Sequence, residues 1–193
     1  MKKYFHLLIV CLMLFLPMTT VSAAYENNEK IIPKEIRDAD IEKQINEALN
    51  KNKINTLSDR DYYYTTEVVE TKYKTVGGFA GGQLLGGYRF QTGGGFYWDE
   101  SGGPTIGGNV SFSAPYKLVG FLVNLGIAST NSSYGKYVSV PNTYQYFKLY
   151  VEKTMEVRKV NVYRQKYTGG TKELWDTMYP STPYSQNQYA KSV

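Results

Sequence analysis

The chain has 193 residues and a formal net charge of +5, of which Lys2 and Lys3 supply two. That length suits one domain, and so mild a surplus, with no basic run, excludes a nucleic-acid-binding signature. The only cysteine and the only histidine are Cys11 and His6; beyond them the chain has no residues for an N/S-type zinc site, a Cys–His nucleophile or haem ligation by His or Cys.

The N-terminus has the three parts of a secretory signal: Lys2 and Lys3, the apolar run Leu7–Leu16 ended by Pro17, and small residues at Val21-Ser22-Ala23. The run is shorter than the roughly 18 apolar residues a membrane span needs. Cleavage is expected between Ala23 and Ala24, with Ser22-Ala23-Ala24 as the rival site one residue on. Residues 1–23 are thus read as a signal peptide and the protein as secreted and extracellular. Cys11 lacks the small residue before it that a lipoprotein signal would carry. Its loss with the signal predicts a cysteine-free mature chain of about 170 residues, stabilised by packing rather than disulfides.

Residues 24–57 are charged and hold no glycine. Ile41, Ile45, Ala48 and Leu49 recur as one helical stripe, with Asp38 or Asp40 placed to cap its start and Lys51 and Lys53 at its end. So short a helix is marginal alone, so the segment docks, is partly disordered, or is a pro-segment.

Residues 58–168 read as a β domain. Tyr62, Tyr64, Thr66 and Val68 alternate with Tyr63, Thr65, Glu67 and Val69, a strand pattern over 58–76. The window 77–108 holds 13 of the 18 glycines, mostly as doublets between aromatic residues. It fits short aromatic strands separated by glycine turns, or a flexible loop. Over 109–128, Val119, Phe121, Val123, Leu125 and Ile127 face one way and small residues the other, which predicts a central strand. Over 144–167, Phe147, Leu149, Val151, Met155 and Val157 alternate with polar residues; Val160 and Val162 then change parity, as a β-bulge or a hairpin turn would cause. Residues 169–193, with Pro180 and Pro183, read as an irregular C-terminal tail, ending at most in a short edge strand.

Glu100-Ser101-Gly102-Gly103-Pro104 resembles the segment around the nucleophile of chymotrypsin-like serine proteases, but no imidazole base is available to Ser101. A Gly-Pro turn accounts for it. Carboxylate chemistry survives the loss of His and Cys. Asp99 with Glu100 would point to opposite faces of a strand, while Asp59 and Asp61 supply too few oxygens for calcium. The glycine doublets match no phosphate-binding fingerprint. No catalytic residue, metal or cofactor is expected.

Tyrosine is the remaining signal, with 19 in the chain. Tyr88, Phe96, Tyr97, Trp98, Tyr134 and Tyr137 sit beside turn glycines and are the predicted ligand-binding surface. In layout, and most in the segments Gly-Gly-Gly-Phe-Tyr-Trp (93–98) and Val-Pro-Asn-Thr-Tyr-Gln-Tyr-Phe-Lys-Leu-Tyr-Val (140–151), the sequence resembles small Gly- and Tyr-rich exported all-β proteins of Gram-positive bacteria. That resemblance implies no activity and carries over no catalytic residue.

The expected fold is all-β, an antiparallel sandwich or Greek-key barrel with a short N-terminal helical segment. The expected function is a secreted non-enzymatic binding module for cell-wall glycan, a surface protein or itself, with no nucleic-acid partner and an oligomeric state left open. A secreted antibacterial or membrane-active (pore-forming) protein is the alternative, with residues 62–76 and 145–158 as the strands long enough to span; only under it is membrane contact expected. A carboxylate-based hydrolase is the third.

Overall fold

A computed structural model describes residues 29–53, 61–131 and 134–193. The signal segment and Asp59 lie outside them. Cys11 is part of the 193-residue chain, so "cysteine-free" does not describe this protein.

The fold is all-β, mainly antiparallel and sandwich-like, with one helix. Its spine is β8 (Phe147–Lys166), 20 residues long. One edge of β8 pairs with β2 (Tyr62–Phe79). The other pairs with β10 (Ser181–Ser192) along its first half and with β9 (Glu173–Met178) along its second. β1 (Lys30–Ile31) adds to the outer edge of β10. A second layer holds the sheet β6 (Ile127–Ser129), β3 (Gly95–Asp99), β7 (Lys136–Ser139) and the hairpin β4 (Thr105–Phe112) with β5 (Lys117–Asn124).

The alternation of β8 assigns these layers. Phe147, Leu149 and Val151 bury against Phe96, Trp98, Ala128 and Val138 of the three-stranded sheet. Met155 and Val157 bury against Val110, Phe112, Phe121 and Val123 of the hairpin. Val160 and Val162 point the other way and bury against Ile41, Ile45 and Leu49 of helix α1 (Lys34–Lys53). The parity change is therefore a change of covering layer. β8 keeps every residue in its ladders, and the bulges sit in its partners, where the register skips Val69 of β2, Tyr184 of β10 and Trp175 of β9.

Three further expectations change. The helix docks, but it begins at Lys34, a turn before Asp38: the Arg37 N–H donates to Pro33 O at 3.2 Å. Its buried stripe opens with a charged residue, since Arg37, Ile41, Ile45 and Leu49 are the buried positions, and an apolar count starts too late. The predicted central strand over 109–128 is the hairpin arm β5, whose second face is open, with Leu122 75% exposed.

The supposed irregular tail is the return arm of a long hairpin. β9 and β10 continue one line along β8, interrupted at Tyr179-Pro180, where Arg158 N–H donates to Pro180 O at 3.0 Å. Pro183 sits beside the Tyr184 bulge, where the ladder already skips a residue. The inward residues of β10 include Thr182, Ser185 and Gln188, so hydropathy carried no sign of a buried strand.

The glycine window forms ordered short elements. β3 and its neighbours follow turns in which Gly82, Gly87, Gly93 and Gly94 have positive φ, and Tyr88 makes an isolated bridge to Phe147.

Candidate functional site

The helix covers the even-numbered face of β8 only around Glu156–Val162. Nearer the start of β8, Tyr150, Glu152 and Thr154 are each partly exposed. Here the registers align three rings across three strands: Phe79 of β2 pairs with Tyr150, and Tyr150 with Tyr189 of β10. The Phe79 and Tyr150 centroids are 5.2 Å apart and edge-on, those of Tyr150 and Tyr189 5.5 Å apart and tilted.

Gly77 makes this row possible. A Cβ there would sit 2.9 Å from Tyr150 Cε1, so the ring leans over the glycine backbone. Two lysines pack over the row: Lys148 Nζ lies over the Phe79 ring, 4.6 Å from its centre, and Lys191 Nζ over that of Tyr150, at 4.2 Å. The Tyr189 hydroxyl donates to Glu152 Oε1 at 3.1 Å. The result is a half-buried cluster of mutually tilted rings with an ammonium group over two of them.

The six predicted binding residues divide. Phe96 is fully buried, and Trp98 is buried with its indole N–H donating to Leu125 O at 2.9 Å. Tyr88 packs edge-on to Phe96 at 5.8 Å. Phe96 and Trp98 belong to the core because β3 turns alternate residues onto the long sheet, and Tyr88, before β3, is partly buried against it. Tyr97 and Tyr137 stack on the outer face of the three-stranded sheet at 5.2 Å, and Tyr134 is exposed. The row Phe79, Tyr150, Tyr189 was missed, although Tyr150 lies on the polar parity of its strand.

Asp99 and Glu100 do not converge on one site. Asp99 accepts from the backbone N–H of Ser101 at 2.8 Å, which lowers its pKa, whereas Glu100 pairs with the buried Lys153 at 2.6 Å. A groove of about 520 Å³ between α1 and β2 does bring Asp38 and Glu42 together, beside Arg158 and Tyr64. Hydrogen bonds from Lys34 and Arg158 hold Asp38 below the usual carboxylate value, so it is an anion without a proton to give at neutral pH. Among the described residues no three His, Cys, Asp or Glu side chains gather to hold a metal ion.

Comparison with known proteins finds no matching family model, no matching curated protein and no matching solved structure.

Proposed function

We propose that this is an exported, non-enzymatic binding protein that recognises cell-wall glycan, acidic glycan in particular, through the face carrying Phe79, Tyr150 and Tyr189. The observation that carries this reading is the row of three rings that the strand register sets side by side across β2, β8 and β10, with Lys148 and Lys191 packed over it. Flat rings suit the apolar faces of sugars, and rigid aromatic side chains lose little entropy on binding. The ammonium groups suit carboxylates or phosphates on the polymer. Export rests on the signal pattern of Lys2, Lys3, Leu7–Leu16 and Val21-Ser22-Ala23.

The test is co-sedimentation of the purified protein with isolated bacterial wall. Tyr150→Ala removes the central ring and is expected to weaken pelleting by about tenfold or more, the scale of a binding hot spot. Equal pelleting of variant and wild type would refute the assignment of this face.

A further inference from the structure

We infer that the β4–β5 hairpin is a membrane-inserting element, able to leave the second layer and join equivalent hairpins of other copies in a closed β-barrel across a lipid bilayer.

The hairpin forms a ladder of its own, held to the rest by side-chain packing and by Lys159 Nζ donating to Ala114 O of its turn at 2.7 Å. β4 and β5 pair only with each other in the sheets of the described residues. Each is eight residues long, and Leu125 N–H donating to Pro104 O at 2.9 Å adds a further rung at the base. That reaches the roughly 9–11 residues a tilted membrane strand needs. Its base is glycine against glycine: Gly103 and Gly126 have φ of +89° and +72°, and a Cβ on Gly103 would lie 2.0 Å from Gly126 O.

Its side chains have the two faces such a strand requires. The buried face presents Val110, Phe112, Phe121 and Val123 to β8. The opposite face carries Thr105, Gly107, Asn109, Ser111, Gly120 and Asn124, with no charge. Lys117, the only charged residue between Thr105 and Asn124, pairs with Phe112 on the apolar face at the turn, so on insertion its ammonium would reach the far membrane surface. Leu118 and Leu122, also on the open face, are 54% and 75% exposed. On insertion the face now against Met155 and Val157 would meet lipid, and the uncharged polar face would line the lumen. The strands first considered for spanning, within 62–76 and 145–158, are instead the ladder of the core sheet and carry Glu67, Glu70, Lys148, Glu152 and Glu156.

A lone hairpin leaves two unpaired edges in hydrocarbon, which a bilayer does not tolerate. Several copies must therefore close a barrel, and release of vesicle contents should rise more steeply than the first power of protein concentration.

The experiment is dye release from vesicles of phosphatidylcholine and phosphatidylglycerol, which carry no glycan, so its outcome is separate from that of wall binding. Ser113 and Tyr116 are exposed at the turn, so Ser113→Asp/Tyr116→Asp leaves the soluble fold intact while forcing two carboxylates through the hydrocarbon. The wild type should release dye, and this variant about tenfold more slowly or less. Thr168→Asp/Thr171→Asp, in the exposed turn after β8, adds the same charge and should release at the wild-type rate. Intact vesicles with the wild type, or equal rates for the turn variant, would overturn the inference.

Discussion

Glu156 is 2% exposed, and two arginines hold it. Arg37 of the helix donates to one carboxylate oxygen, and Arg158 Nε donates to the other at 2.5 Å. Arg158 also reaches Asp38 at 2.6 Å, and the Arg37 guanidinium lies 4.7 Å from the Tyr184 ring centre. This chain of charges pins the first turn of α1 to the sheet. Removing one member leaves buried charges uncompensated, so Glu156→Ala is expected to lower stability by about 3–5 kcal/mol in urea denaturation. At the edge of the same cluster, the folded pKa of Asp38 lies below the ordinary 3.8 through Lys34 and Arg158. Its contribution is fully present above about pH 4 and is lost as pH falls through the depressed folded value. Asp38→Asn should remove that part of the loss of stability as pH falls below about 4.

At the scale of elements, strands with an apolar parity were legible in the sequence. The alternation of Phe147 to Val157 predicted β8, and that of Tyr62 to Val68 predicted β2. The parity change at Val160 was read as a bulge or a hairpin turn because a sequence shows which residues alternate and not which layer covers them. β10 was illegible for a different reason: Thr182, Ser185 and Gln188 are buried polar residues, with Gln188 accepting from Lys136 at 2.8 Å. The binding row was hidden likewise, since a tyrosine beside a turn glycine and a tyrosine on a sheet face look the same until register is known. The role of β10 has a direct consequence. Deleting residues 181–193 strips one edge from the first half of β8 and uncovers Leu149 and Val151, both fully buried in the intact protein. The truncated chain is expected to show no cooperative urea transition, whereas a dispensable tail would leave the midpoint unchanged.

In the whole molecule, β8 connects three surfaces. One face carries the hydrophobic second layer, including the β4–β5 hairpin. The far half of the other face is sealed by α1. The near half of that face holds the aromatic row. The surfaces proposed for binding and for bilayer entry lie on opposite faces of one sheet, and a variant at either can be made without touching the other. The sheet core separates them, because Trp98 and Phe96 contribute stability from the interior while Tyr150 contributes area at the surface. The central claim is that the open face of the long sheet is the recognition surface, and co-sedimentation with isolated cell wall tests it most directly. The account predicts that wild-type protein pellets with wall, that soluble acidic glycan competes, and that Tyr150→Ala stays in the supernatant while keeping the wild-type urea midpoint to within about 1 kcal/mol. Undiminished pelleting of Tyr150→Ala, or no pelleting of the wild type, would contradict it.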